Sequence, residues 1–162
     1  MTRLERLDER HADELLRFER ENRAFFARSI PDRGDDYFVS FAERHAALLT
    51  EQASGVIQFH VMVDDNGAVL GRFNLIDLVD GQAELGFRVA EHATGRGLAT
   101  AGVQEILVLA RDDYGLDRLE ASATLGNAGS LGVLRRTGFV AVGEVVLNGL
   151  PGLRHVRDLE ER

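Results

Sequence analysis

A chain of 162 residues and 17.9 kDa, with 44% hydrophobic and 28% charged residues, is long enough to bury a self-sufficient core and too apolar for a disordered or fibrous protein. The absence of cysteine excludes a disulfide framework, a thiolate nucleophile and a Cys-based zinc site, and the five histidines (His11, His45, His60, His92, His155) stand at no metal-ligand spacing, so no metal is expected. A net charge of −8 and a pI near 5.1 argue against nucleic acid and anionic membrane as partners; an acidic surface would favour cationic substrates, although solubility alone accounts for it.

The opening residues, Met1 to Glu14, are charged throughout, without the apolar stretch of a signal peptide, and no later apolar run approaches a membrane span, so a cytoplasmic protein is expected. With no repeat, low-complexity tract or linker, one domain over residues 1–162 is the simplest organisation. Thr2 to Leu7 reads as a short edge strand. His11 to Phe26 carries Leu15, Leu16, Phe18 and Phe25 at helical spacing, and after a break at Ile30 to Asp36 a second periodic stretch runs from Tyr37 to Glu51. The aromatic residues Phe25, Phe26, Tyr37 and Phe38 flank that break and read more readily as core than as pocket. Val56 to Val63 and Val69 to Leu78 are strands joined by Asp64-Asp65-Asn66-Gly67, and Asp80-Gly81 turns the chain into a third strand, Gln82 to Val89. On that strand Glu84, Gly86 and Arg88 share the face opposite Ala83, Leu85, Phe87 and Val89. Leu98 to Tyr114 is apolar on almost every face, as in a buried helix. Leu119 to Leu125 reads as a strand, Asn127 to Thr137 as a helix, and Phe139 to Leu147 and Leu153 to Leu159 as strands. A strand, helix, strand order after an antiparallel meander implies a parallel crossover, hence a mixed α+β fold with a mostly antiparallel central sheet flanked by helices.

The segment richest in chemical information is Val89-Ala90-Glu91-His92-Ala93-Thr94-Gly95-Arg96-Gly97-Leu98-Ala99-Thr100, in which a strand passes through Gly-Arg-Gly into a long helix. Glycines let backbone N–H groups approach an anion, the start of a helix favours phosphate, and Arg96 could add a charged donor. The loop has neither the Walker ending nor the three-glycine dinucleotide spacing, and alone it is explained equally well as a plain strand-to-helix turn.

Taken with Glu84-Leu85-Gly86-Phe87 before it and with Asn127-Ala128-Gly129-Ser130 and Gly138-Phe139 after it, the loop resembles the GNAT superfamily of N-acetyltransferases. More narrowly it resembles the branch of ribosomal-protein N-terminal alanine acetyltransferases, a likeness that extends to Glu21-Asn22-Arg23-Ala24, Pro31 and Asp35-Asp36-Tyr37-Phe38 and so to nearly the whole chain. The resemblance implies acetyl-CoA as co-substrate, an amine acceptor (a protein amino terminus or a small molecule), and CoA contacts from Val89, Gly95, Arg96, Gly97, Leu98, Ala99, Thr100 and Asn127. One departure is Thr94, where the family usually has Gln or Arg.

Acetyl transfer from a thioester to an amine needs a neutral amine, a donor for the developing oxyanion and a proton for the leaving thiolate, but no covalent enzyme intermediate. The resemblance points to Glu84 as base, with Glu144 as second candidate, each with a solvated strand residue as the rival reading. Many GNAT enzymes use a tyrosine as acid where this chain has Leu134; Ser130, one helical turn earlier, matches the serine of the ribosomal branch, and its rival role is to stabilise the first turn of a helix capped by Asn127. A non-catalytic acyl-CoA sensor is the alternative function, disfavoured because both Glu84 and Ser130 are present. A purely structural protein would not need the glycine loop. The acceptor and the oligomeric state, a homodimer included, are left open.

Overall fold

A computed structural model of the chain describes residues 1–159. They form one seven-stranded sheet in the order β1-β2-β3-β4-β5-β7-β6. Its strands are β1 (Thr2–Arg6), β2 (Gln58–Asp64), β3 (Val69–Val79), β4 (Gln82–Val89), β5 (Arg118–Thr124), β6 (Val140–Leu147) and β7 (Leu150–Asp158). Every neighbouring pair is antiparallel except β4 and β5. The helices are α1 (Ala12–Glu21), α2 (Arg23–Phe26), α3 (Asp35–Val39), α4 (Phe41–Ser54), α5 (Leu98–Asp112) and α6 (Ala128–Arg136). The expected mixed α+β architecture is the one observed, and no helix among the described residues is long and apolar enough to cross a membrane.

Local chemistry places the turns. Asp64 Oδ1 accepts hydrogen bonds from the N–H groups of Asn66 and Ala68, closing the β2–β3 hairpin. Asp80 and Gly81 (φ 52° and 77°) join β3 to β4. A further tight turn, Asn148-Gly149 (φ 51° and 80°), starts β7 at Leu150 instead of Leu153. The first expected helix is two, α1 and α2. Asn22 interrupts them because its side chain is used elsewhere: Nδ2 donates to the Phe18 carbonyl at 2.9 Å and Oδ1 accepts from the Glu91 N–H at 2.9 Å. Ser40 stands between α3 and α4.

Alternation along the strands sends the two faces of the sheet to different layers. Phe73, Leu75, Leu85, Leu119 and Ala121 pack with Val103 and Ile106 of α5 and Leu134 of α6. Val61, Val63, Phe59 and Leu70 pack with Leu15 and Phe18 of α1, Tyr37 of α3 and Phe41 of α4. Gly102 lets α5 lie against the sheet, since a Cβ there would overlap the Phe73 ring.

The parallel ladder is short. β4 and β5 pair at Gln82↔Arg118, Ala83↔Leu119 and Glu84↔Glu120, and although both strands run on to Val89 and Thr124 they pair no further.

Candidate active site

A cleft of about 800 Å³ opens where that ladder stops. One wall is Leu85 to Val89 of β4, the other Ala121 to Thr124 of β5. The start of α5 and the start of α6 close one side, Phe25, Phe26 and the loop after α2 roof the other, and Leu147, Asn148 and Leu150 of the β6–β7 turn stand at the rim. Phe25 and Phe26 thus serve both core and cleft, whereas Tyr37 is buried in the core and absent from the cleft wall.

The glycine loop reaches α5 through two left-handed residues, Gly95 (φ 76°) and Gly97 (φ 74°). A Cβ at either would meet nothing, so backbone conformation and not crowding calls for glycine. Gly97 is the N-cap of α5 and supplies no side-chain hydrogen bond, which leaves the amides of the first turn free for an anion. Of the residues expected to contact CoA, Val89, Gly95, Gly97, Leu98, Ala99, Thr100 and Asn127 line the cleft; Arg96 is exposed and lies outside its wall. A different arginine is present: Arg136 lines the cleft and its Nε donates to Thr100 Oγ1 at 3.3 Å. Thr94 ties the loop back on itself, its hydroxyl donating to the Glu91 carbonyl at 2.7 Å.

Ser130 lies in the cleft wall beside Leu134. The capping bond of α6 runs from the Ser130 backbone N–H to Asn127 Oδ1 at 3.2 Å, so the cap does not use the serine hydroxyl, which takes no hydrogen bond among the described residues. Glu84 sits at the last pair of the parallel ladder, opposite Glu120 and Ile76, two residues before Gly86 of the wall and not itself in it. Partial burial, then the neighbouring charges of Asp77 and Glu120, raise its pKa above the ordinary carboxylate value. Glu144 is exposed on β6 opposite Leu153 and away from the wall, because β7 lies between β5 and β6 and makes β6 the edge strand. The structure therefore brings Ser130 to the cleft, leaves Glu84 at its closed end and keeps Glu144 off it.

Beneath the roof lies a charge cluster that sequence reasoning missed. Glu19 of α1, 1% exposed, accepts from Arg33 Nε and Nη2 at 3.0 and 3.0 Å, from Arg72 Nη1 at 2.8 Å and from Arg88 Nη1 at 3.0 Å. Burial pushes the Glu19 carboxyl up, but the three guanidinium groups outweigh it and hold the group below its ordinary value. Burial also brings Arg88 down to about 10 against the attraction of Glu19. A signal was available: Leu15, Phe18, Glu19 and Asn22 form an i, i+3, i+4, i+7 stripe, so the two polar residues occupy core positions of the helix. Next to the cluster on β3, Asn74 lines the cleft with a buried Oδ1 that has no partner.

A sheet split at its single parallel pair, beside an uncapped helix start reached through glycines, has room and donors for an extended, anionic ligand. A model of the GNAT acetyltransferase domain matches residues 2–140, and the chain belongs to that family of acetyltransferase enzymes. It is 26% identical over 151 residues to the Bacillus subtilis protein named "Probable N-acetyltransferase YjcK", an alignment spanning 86% of this chain and 82% of that one. Among solved structures, the ribosomal-protein-S5-alanine acetyltransferase of Vibrio fischeri superimposes with a TM-score of 0.91 at 19% identity, over 99% of this chain and 94% of that one. The spermidine N-acetyltransferase of Vibrio cholerae in complex with CoA and spermine gives 0.79 at 17% identity, over 98% and 95%.

Proposed function

We propose that the protein transfers an acetyl group from acetyl-CoA directly to a primary amine, on a protein amino terminus or on a small molecule. The observation that carries this reading is the continuous cleft through the split sheet, from the free amides of α5 to the unengaged hydroxyl of Ser130. The amides of Leu98, Ala99 and Thr100, with Arg136 beside them, suit a pyrophosphate, and the unpaired edges of β4 at Val89 and of β5 suit the amide groups of a pantetheine arm. Asn127 fixes the start of α6 and so the position of Ser130.

In the reaction the amine nitrogen bonds to the thioester carbonyl carbon, the C–S bond breaks, and CoA leaves as a thiolate. Ser130 would give that sulfur a proton or a hydrogen bond. Glu84, with its raised pKa, is the base; since it stands at the closed end of the split and outside the wall, it would take the amine proton through water. Glu144 has no part in this scheme. Neighbours named for a ribosomal-protein alanine and for spermidine support an amine acceptor of either kind.

The test uses a property of the chain itself. Having no cysteine, the protein adds no background to a thiol reagent, so CoA released from acetyl-CoA during incubation with a library of primary amines can be read directly. The expected result is amine-dependent thiol release that Gly97→Glu abolishes, by placing bulk and negative charge at the phosphate end. A rise in melting temperature with acetyl-CoA and no thiol release with any amine would instead support the sensor.

A further inference from the structure

The charged side chains that line the cleft are Arg28, Arg33, Arg88 and Arg136, with no Asp or Glu among them, in a chain whose net charge is −8. Arg136 stands beside Thr100 at the phosphate loop, and Arg28 has Glu91 at 3.6 Å. Arg33, in the roofing loop, and Arg88, beneath it on β4, meet at Glu19, and there the charges do not balance. With Arg72 they share Glu19, three cations on one carboxylate. Asp32, which lines a small cavity with Glu19, Arg33 and Arg88, is taken by Arg23 at 2.7 Å, and so is Asp35 at 2.9 Å. A net positive charge is therefore held where side chains are 1% to 27% exposed, a costly arrangement unless an anion completes it.

The free donors point the same way. Among the described residues Arg88 uses only Nη1 and Arg33 only Nε and Nη2, so Arg88 Nε and Nη2 and Arg33 Nη1 remain, enough for a two-oxygen anion. Arg88, Gly86 and Glu84 share one face of β4, successive members about 7 Å apart. Asn74 is in register with Gly86, and its unpartnered buried Oδ1 can only accept. Along this face the order is cation, acceptor oxygen, carboxylate.

Resting on the transferase reading above, we infer that the acceptor is an amine that also carries a carboxylate, its amine held at Asn74 and Gly86 and its carboxylate received by Arg88 and Arg33. An amino acid has this shape, and so does a polypeptide amino terminus whose second residue is acidic. A polyamine does not: it would set ammonium groups against guanidinium groups. The acidic net charge of the chain, which by itself favours cationic substrates, is reversed in sign at the one place where the acceptor lies.

Matched pairs of amines test this with the wild-type protein and acetyl-CoA. Free alanine is compared with alaninamide, and Ala-Glu-amide with Ala-Gln-amide, with spermidine alongside; thiol release gives kcat/KM for each. The acidic member of at least one pair should be favoured about tenfold or more, as expected of a site whose charged donors are otherwise left unpaired. Arg88→Met and, separately, Arg33→Met should erase that preference through KM while the Kd for acetyl-CoA is unchanged. A preference in the alanine pair alone assigns a small acceptor, and one in the amidated peptides assigns a protein terminus. Equal rates within both pairs, or a preference for spermidine, overturn the inference and leave the transferase intact. No thiol release with any amine overturns both.

Discussion

The layer under α5 and α6 and the layer under α1 to α4 draw on alternate residues of the same strands, and the contrast between them separates stability from chemistry. On the α5 side, β3 and β4 present Phe73, Leu75, Leu85 and Ala83, all buried against aliphatic helix residues with no polar group to satisfy. On the α1 side the same strands present Arg72, Asn74, Glu84 and Arg88, and α1 answers the two arginines with Glu19 from its own buried stripe. Apolar packing tolerates rough complementarity. A buried ionic cluster does not, because each member left over keeps its desolvation penalty.

Two substitutions break this comparison from opposite sides. Phe73→Ala should lose about 3–5 kcal/mol in chemical denaturation, as a large core aromatic does, evenly across pH. Glu19→Gln should lose a similar about 3–5 kcal/mol at neutral pH by stranding three guanidinium groups on an uncharged amide. The folded-state pKa of Glu19 is lowered, so its contribution is fully present above the ordinary carboxylate range and is lost as pH falls below it. Mutant and wild type should converge in acid, and Phe73→Ala should show no such convergence; parallel Glu19→Gln and wild-type curves down to the lowest pH would sink the assignment.

A smaller effect sharpens the boundary between packing and reaction at α6. Because Asn127 caps the backbone N–H of residue 130 and not its hydroxyl, Asn127→Ala should cost about 0.5–2 kcal/mol. Ser130→Ala should stay within about 0.5 kcal/mol of wild type, as a substitution that removes no internal bond, and yet lose about ten- to a thousandfold in turnover. Melting temperatures and thiol-release rates of the two variants decide it, and a fully active Ser130→Ala removes the serine from the scheme.

The smallest expected change concerns Glu84. With Glu84 as the proposed base, its raised pKa should place the acid limb of kcat/KM above the ordinary carboxylate value, with activity rising as pH climbs through it. Glu120→Gln removes one neighbouring negative charge and should shift that limb to lower pH. An unmoved limb would mean that another group sets it.

These contrasts also explain which parts of the molecule could be read from residues in order. Strands, hairpins and the α5 helix follow from local alternation and turn chemistry, and β4 runs from Gln82 to Val89 as its pattern predicts. The glycine loop is readable for the same reason, since its left-handed turns at Gly95 and Gly97 are a property of its own backbone. The place of β7 between β5 and β6 depends on pairing across the chain and left no local sign. Arg88 and Arg72 meet Glu19 across 69 and 53 residues, so no spacing rule links them; only a glutamate on the apolar stripe of α1 marked the spot. Glu144 looked usable because its strand follows Gly138-Phe139, and it lost that position when β7 came between.

The brevity of the parallel ladder has a mechanical side. β1 to β4 form one plate and β5, β7 and β6 another, and the sheet joins them through three residue pairs, like a hinge set at one end of a door. Beyond that hinge, the edge amides of Leu85 to Val89 and Ala121 to Thr124 have no strand between them. On the proposed reading, a pantetheine arm lying there works as an extra strand between the plates, so that the sheet is continuous while the co-substrate is bound and split once it has left.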